Sequence, residues 1–278
     1  MKIQLIRNAT LKIHYGGHVF LIDPYLGKKH TQPPFAGISK NPTVNVPFSA
    51  KEILNGTDVI FISHLHPDHF DEAAEKIISK NHPIVCQLED LDVLKSKGFT
   101  NVEALITERF ISEVRITRTP GQHGHGKRLQ MMGKVSGYIF EHPKEPTLYW
   151  MGDTIWYQEV QDIVQLYTPD VIVTHSCGAI WKKGELPVIM DDKQTIAVCT
   201  FAPYAKVIAT HMEALDLATV SRNELRKHAD VNMVSDSQLI IPRDGEQIII
   251  DTEDESNNNR NWQNGQRNYK GIGSILPG

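Results

Sequence analysis

Residues 58–69 read DVIFISHLHPDH, an apolar run followed directly by three histidines and an aspartate. The run is short and bounded by turn residues, which predicts a β-strand buried on both faces. The polar side chains come at the carboxyl end of this strand, where open sheets of α/β proteins place their ligands. Zinc binds imidazole and carboxylate groups readily, so the spacing H-x-H-x-D-H predicts a metal site. The alternative is an aspartate-capped helix with solvent-exposed histidines.

The local geometry of this stretch divides its ligands into two pairs. His64 and His66 share one face of an extended chain as an i, i+2 pair. Asp68 and His69 lie beyond the turn at Pro67 and can reach a second ion. Because one loop cannot complete two metal sites, further ligands must come from other strand ends. The candidates that follow apolar strands elsewhere are His123, Asp153 and His211.

The rest of the chain predicts an α/β fold. Two strands flank Gly16-Gly17, a two-residue hairpin signal, and strands then alternate with helices. Residues 112–140 have the pattern of strands interrupted at 120–126, and residues 213–228 have that of an amphipathic helix. The two strand-rich stretches predict two β-sheets sandwiched between helices, a four-layer αββα architecture.

Composition separates two segments from the regular pattern. Residues 27–48 are rich in Pro and Gly, which predicts a lid, a binding loop or a dimer arm. Residues 251–278 begin with a stretch rich in Asn, Gln, Asp and Glu, which predicts a solvated extension or an oligomerisation arm. Residues 1–250 are therefore expected to form one domain.

Charge and cysteine content limit the partners and the location. The chain of 278 residues has 29 Lys and Arg against 33 Asp and Glu, a net charge of −4, which disfavours nucleic-acid binding by phosphate neutralisation. The three cysteines are widely spaced and are expected to be small buried side chains in a reducing compartment. Neither a secretory signal nor a membrane-spanning apolar run is evident, so the expected location is the cytoplasm.

The H-x-H-x-D-H motif, a downstream histidine, Gly152-Asp153-Thr154 and a late histidine, in this order, resemble the metallo-β-lactamase superfamily of hydrolases. The resemblance covers about residues 1–245, nearly the whole chain, and within the superfamily it is nearest to the branch containing ascorbate-6-phosphate lactonase. It implies a first metal held by His64, His66 and His123, a second held by Asp68, His69 and His211, and a bridging carboxylate from Asp153.

Several nearby residues have roles that the sequence leaves open. His125 competes with His123 for the third position at the first metal, and the turn Gly-Gln-His-Gly favours His123. Asp23 matches an aspartate that accepts the outer N–H of a metal-bound histidine in such proteins, although it could also be a turn residue. Thr154 is expected to hold the carboxylate beside it. His175 is either a pocket residue that donates a proton or contacts substrate, or a core histidine.

The resemblance implies hydrolysis of a small ester, lactone or phosphodiester. Two ions about 3.5–4 Å apart would share a hydroxide and polarise the carbonyl or phosphoryl oxygen under attack. The predicted catalytic residues are Asp68, as a proton carrier to the leaving group, together with Asp153 and His175. The expected partner is a small-molecule substrate, not nucleic acid or a membrane.

Two alternative activities exist on the same fold. One is a nuclease-type phosphodiesterase, and the other is a di-iron oxidoreductase, whose members typically carry Glu where His66 stands. The histidine-rich ligand set favours zinc, while two carboxylates also accept manganese or iron. The loop at 27–48 and the polar C-terminal segment suggest a homo-oligomer.

Overall fold

Fourteen strands and seven α-helices are found in residues 1–251, the part of the chain that the computed structural model describes. The strands are β1 (Lys2–Arg7), β2 (Thr10–Tyr15), β3 (His18–Ile22), β4 (Val59–Ile62), β5 (Ile84–Cys86), β6 (Val102–Ala104), β7 (Glu108–Ile111), β8 (Val114–Pro120), β9 (Ser136–His142), β10 (Glu145–Trp150), β11 (Val171–His175), β12 (Lys206–Thr210), β13 (Leu239–Ile240) and β14 (Gln247–Ile249). The helices are α1 (Ala50–Leu54), α2 (Glu72–Ile77), α3 (Leu91–Ser96), α4 (Gly126–Met132), α5 (Gln158–Tyr167), α6 (Asp192–Phe201) and α7 (Arg222–Val231).

The strands form two seven-stranded sheets. The first has the order β14-β1-β2-β3-β4-β5-β6, and the second has the order β13-β12-β11-β10-β9-β8-β7. Strands β3 to β6 run parallel in the first sheet, as do β10 to β13 in the second. The first three strands and β7 to β10 pair antiparallel. The carboxyl ends of the central strands therefore lie along one edge of each sheet.

Three apolar layers define the architecture. The largest core cluster lies between the two sheets, where Phe61 of the first sheet meets Phe140 of the second with ring centroids 5.6 Å apart. A second cluster packs α5, α6 and α7 on the outer face of the second sheet. A third packs α1, α2 and α3 on the first sheet. The predicted four-layer αββα fold is confirmed.

The N-terminal hairpin also follows the prediction. Gly16 and Gly17 connect β2 and β3, and both have positive φ values, 55° and 80°. A two-residue turn of this kind needs positive φ at both positions, which glycine adopts without a steric penalty.

The prediction of a helix over residues 213–228 was wrong at its start. Helix α7 begins at Arg222, where the hydroxyl of Ser221 accepts the Glu224 N–H and the Glu224 carboxylate accepts the Ser221 N–H. This capping box fixes the first turn. The preceding residues form a loop, in which Glu213 has a φ of 59°. A second difference is α4, a helix within the stretch that was predicted as strands interrupted by a turn.

The long segment at 27–48 is an ordered loop packed on the residues that follow β12. The carboxylate of Asp216 accepts the backbone N–H groups of Phe35, Ala36, Ile38 and Ser39, at 3.0 to 3.3 Å. It also accepts the side-chain amide of Asn41 at 2.9 Å. One buried acid thus organises the tip of the loop.

The predicted C-terminal extension lies outside the described residues, apart from Asp251. Its proposed part in oligomerisation therefore stays a prediction. No helix within residues 1–251 is both long and apolar enough to cross a membrane.

Candidate metal centre

The predicted ligands converge where strands of both sheets end. His64 follows β4 in the first sheet, while Asp153 and His211 follow β10 and β12 in the second. His123 comes three residues after β8. Ligand atoms of two overlapping residue groups, both of which include Asp153, approach within 4.8 Å of one another.

The first group consists of three histidines around one carboxylate oxygen. Asp153 Oδ2 lies 3.3 Å from His123 Nε2 and 3.8 Å from His64 Nε2. The ring centroids of His64 and His66 are 4.4 Å apart. The Nε2 atom of His64 is buried and has no hydrogen-bond partner among the described residues, which is the state expected of a nitrogen reserved for a metal ion.

The second group, which comprises His69, His175 and His211 with Asp153, surrounds the same carboxylate from the other side, and Asp68 lies next to it. His69 Nε2 lies 3.2 Å from Asp153 Oδ2, 3.3 Å from His211 Nε2 and 3.6 Å from Asp68 Oδ2. Asp68 Oδ2 is 3.0 Å from His211 Nε2. In a tetrahedral zinc site with bonds of about 2.0–2.2 Å, ligand atoms lie about 3.3–3.6 Å apart. The distances among His69, His211, Asp68 and Asp153 fit such a site.

Two of the histidines are oriented through their outer nitrogens by groups of the first sheet. Asp23 Oδ2 lies 2.7 Å from His69 Nδ1, which confirms the contact predicted for Asp23. The hydroxyl of Ser63 donates to Asp23 at 2.6 Å and lies 2.9 Å from His64 Nδ1. A hydrogen bond to the outer nitrogen fixes the tautomer and the ring orientation of a metal-binding histidine.

The other supporting groups were not predicted from the sequence. The Val188 carbonyl oxygen lies 2.9 Å from His123 Nδ1, and Cys177 Sγ lies 3.6 Å from His211 Nδ1. The backbone carbonyl could not be found from residue types, since any residue can supply one. Cys177 follows a predicted strand in the segment His175-Ser176-Cys177, which was the available signal.

Asn8 is a further supporting residue that sequence reasoning missed. Its side-chain amide donates to the Asp68 backbone oxygen at 3.1 Å and lies 3.4 Å from Asp68 Oδ2. The backbone carbonyl of Asn8 accepts the His211 backbone N–H at 2.8 Å. Asn8 has a φ of 56°, a conformation that asparagine tolerates better than most residues. An asparagine directly after a strand was the signal for this turn.

The turn after β10 directs Asp153 toward the histidines. Gly152 has a φ of 70°, and a Cβ at this position would lie 2.5 Å from the Ser136 carbonyl oxygen, so a side chain is excluded. The expectation that Thr154 holds Asp153 was wrong. The Thr154 hydroxyl accepts the Gln122 N–H and donates to the Ile155 carbonyl, both at 3.0 Å, and so joins this turn to the one that carries His123.

His175 lies behind Asp153 and is fully buried. Its Nδ1 atom is 2.6 Å from Asp153 Oδ1, whereas its Nε2 atom has no partner among the described residues. This contact orients the carboxylate that the two groups share. A direct part of His175 in proton transfer stays a prediction. His125 precedes α4 and is not a member of either ligand group.

The electrostatics of the cluster combine ionised carboxylates with imidazoles. Burial raises the pKa of Asp153, but the neighbouring His69 and His211 outweigh burial and hold that pKa well below its usual range. Burial lowers the pKa of His69, but Asp153 and Asp68 outweigh it and raise the pKa to about 10. Burial lowers the pKa of His66 to about 4. Metal binding would therefore displace the proton that His69 holds.

Comparison with known proteins now assigns the family. The family described as beta-lactamase superfamily domain matches residues 18–212. The chain belongs to the β-lactamase superfamily. Within it, the chain is similar to the UPF0173 protein YddR of Bacillus subtilis, with 38% identity over 253 residues that cover 88% of this chain and 98% of that protein.

Two solved structures are also similar to this chain over nearly their full length. A possible metal-dependent hydrolase from Veillonella parvula gives a TM-score of 0.87 at 31% identity, covering 90% of this chain and 99% of that one. An isothiocyanate hydrolase from Delia radicum gut bacteria gives a TM-score of 0.85 at 33% identity, with the same coverages of 90% and 99%. The chain is a metal-dependent hydrolase of the metallo-β-lactamase fold. The narrower resemblance to the ascorbate-6-phosphate lactonase branch stays a prediction.

In this β-lactamase superfamily member, a cavity of about 210 Å³ opens onto the ligand cluster. Its polar floor is formed by five predicted ligands, namely His66, Asp68, His123, Asp153 and His211. The other side of the cavity is apolar and is built from loops and α4. The loop at 27–48 contributes Phe35 to the cavity, and its role as a lid, a binding loop or a dimer arm stays a prediction.

The apolar side is joined to the metal side by a few defined contacts. The loop at 179–188 is closed by a hydrogen bond from the Val188 N–H to the Ala179 carbonyl, and the Val188 carbonyl accepts from His123. Arg128 of α4 donates to both carboxylate oxygens of Glu185 in this loop, at 2.8 and 2.9 Å. Bidentate pairs of this kind are among the stronger surface ion pairs.

Proposed function

We propose that this superfamily member binds two divalent metal ions and uses them to hydrolyse a small ester, lactone or phosphodiester. The main support is that two groups of ligand atoms meet at one carboxylate, that of Asp153. The proposed ligands of the first ion are His64, His66 and His123, those of the second are Asp68, His69 and His211, and Asp153 is shared. Five imidazoles and two carboxylates favour zinc, with manganese or iron as alternatives.

When bound, the two ions supply a hydroxide nucleophile at neutral pH and polarise the bond under attack. The protein holds the reacting groups in place. Asp153 is fixed by His175 at Oδ1 while Oδ2 faces the histidines. Asp68 lines the cavity and is 8% exposed, so its carboxylate can take up a proton and deliver it to the leaving group.

A second candidate reaction is hydrolysis of an isothiocyanate. It is favoured by the isothiocyanate hydrolase that is 33% identical to this chain. Water would add across the C=N bond, its oxygen joining the central carbon and its two protons the nitrogen. Cleavage of the carbon–nitrogen bond would release an amine and carbonyl sulfide. The same metal centre could serve both reactions, since each begins with attack of hydroxide on an electrophilic centre.

Elemental analysis of the untagged chain tests the metal part of the proposal. We expect about two equivalents of metal per chain. Asp153→Ala should lose most of this metal and lower hydrolysis on the order of 10³-fold, because it removes the shared ligand. His125→Ala is the control and should retain both, since His125 lies outside the ligand groups. A metal-free chain that stays metal-free after dialysis against zinc and manganese would refute the dinuclear site.

We place this activity in the cytoplasm, because the three cysteines are buried and unpaired, as suits a reducing compartment. The proposed partner is a small molecule, since the cavity over the ligands is too small for a polymer.

A further inference from the structure

The cavity over the proposed metal ligands has a wall that is entirely apolar. Apart from the five ligands, all ten residues that line it are apolar. They include Phe35, Met132, Trp181, Leu215 and Leu217, which come from four separate segments of the chain. Within residues 1–251, no lysine, arginine, hydroxyl or amide side chain lines this space.

In the part of the chain that the structure describes, no charged side chain lines this wall. Leu215 and Leu217 are 5% and 6% exposed, and both pack in one cluster with Phe35 and Trp181. Arg128, which lies beside Trp181, is already paired with Glu185. A carboxylate or phosphate placed against the wall would be desolvated with no cation in contact, which costs several kcal/mol. The part of the substrate that packs against this wall is therefore expected to be uncharged.

The size of the cavity limits that part further. An apolar cavity of about 150 Å³ is sufficient to bind benzene. The space of about 210 Å³ here must hold the reacting group as well as one substituent. A substrate with a charged or bulky group on the side remote from the metals would not fit this wall, whereas an ester, lactone or isothiocyanate with a compact apolar substituent on that side would.

We infer that the substrate is an uncharged carbon electrophile, an ester, lactone or isothiocyanate, whose substituent at the apolar wall is compact, apolar and about the size of a phenyl ring. This inference rests on the proposed hydrolase function and narrows its substrate. The substituent packs against Trp181, Met132 and Leu217, while the electrophilic carbon faces the ligand cluster. Trp181 is the main determinant of specificity, because it is the largest side chain of the wall.

Binding and turnover are measured separately on the metal-loaded full chain. Benzyl alcohol and 4-(hydroxymethyl)benzoate share a ring and differ by one carboxylate, and their dissociation constants report the preference of the wall without any reaction. Phenyl acetate, 4-acetoxybenzoate and benzyl isothiocyanate report turnover. We expect the neutral member of each matched pair to bind, or to react by kcat/KM, at least about tenfold better.

Two variants test whether Trp181 is responsible for the preference for the neutral ring. Trp181→Ala should weaken benzyl alcohol binding at least about fivefold with unchanged metal content, and Trp181→Phe, which keeps a ring, should restore most of it. Equal or tighter binding of the carboxylated ring, or a Trp181→Ala variant that binds as wild type does, would overturn the inference. Selective binding of benzyl alcohol without hydrolysis of any ester or isothiocyanate would instead overturn the proposed function and leave the ligand preference supported.

Discussion

The two sides of the cavity are built in different ways. The metal side comes from the ends of strands whose preceding residues are buried between the sheets, and its outer hydrogen bonds reach Asp23, Ser63 and the Val188 carbonyl. The apolar side comes from α4 and from loops at 27–48, 179–189 and 213–217. Ligands on the sheets are held by the core, whereas the apolar wall depends on a few contacts between loops.

We expect the metal side of the cavity to determine the chemistry and the apolar side to determine substrate specificity. A metal site needs ligand atoms within a few tenths of an ångström of their positions, which packed strand ends and outer hydrogen bonds provide. An apolar wall needs only shape, and apart from Val188, whose carbonyl accepts from His123, the residues that form it can change without touching the histidines. We expect variants on the metal side to change metal binding and variants on the apolar side to change KM.

Among the residues that support the two sides of the cavity, the largest effect is expected for Asp23→Asn. The carboxylate of Asp23 accepts from Ser63 and His69 in a fully buried position, and the amide would lose the charge that supports His69. Metal affinity, measured by competition with a chelator, should fall about 10–100-fold. Asp191→Asn is the matched control, because Asp191 caps α6 away from the ligands and asparagine also caps well. Superimposable chelation curves for Asp23→Asn and wild type would contradict the role of Asp23.

A smaller effect is expected from Arg128→Lys, on the other side of the cavity. Lysine cannot make the two parallel hydrogen bonds to Glu185, so the loop that carries Trp181 loses its tie to α4. KM for phenyl acetate should rise about three- to tenfold, with metal content unchanged.

Arg109→Lys, in an exposed pair with Glu103, controls for the substitution itself. The double variant Arg128→Glu with Glu185→Arg restores opposite charges and should recover most of the KM. If the exchanged pair behaved no better than the single variants, ion pairing would not be what positions the loop.

The smallest effect is expected from Asp216→Asn. The substitution keeps the shape but weakens the hydrogen bonds to the backbone N–H groups around Phe35. Benzyl alcohol should bind about two- to threefold more weakly, and amide hydrogen exchange over residues 35–39 should become faster. Exchange over residues 64–69 is the internal control and should not change. Faster exchange in both segments would mean that the loop and the metal side are not independent.

The metal side and the apolar side of the cavity also differ in how far the sequence could predict them. The proposed ligands could be picked out because each is a metal-binding residue type that follows an apolar strand within a few residues. Asp23 was found through the family resemblance. The four layers followed from the alternation of strands and helices. These features depend on local patterns that a single sequence shows.

The apolar wall could not be predicted. Phe35 and Trp181 lie in segments without periodicity, whereas Leu217 lies in a stretch whose apolar spacing predicted a helix, and the three side chains meet only in the folded chain. The helix predicted over 213–228 was wrong because apolar spacing continued upstream of Ser221, although the capping box at Ser221 and Glu224 was present in the sequence. Asn8, Cys177 and the Val188 carbonyl act through contacts far apart along the chain, which no spacing pattern reveals.

The buried cysteines have a consequence for an enzyme that would handle isothiocyanates. These compounds modify proteins by reacting with thiolates, and a catalyst of their hydrolysis meets them at every turnover. Burial raises the pKa of Cys86 and of Cys199 to about 12, so almost no thiolate forms at either position. Cys177, beside His211, has no exposed surface. If the proposed isothiocyanate hydrolysis is the activity, burial would shield all three thiols from covalent modification by the substrate.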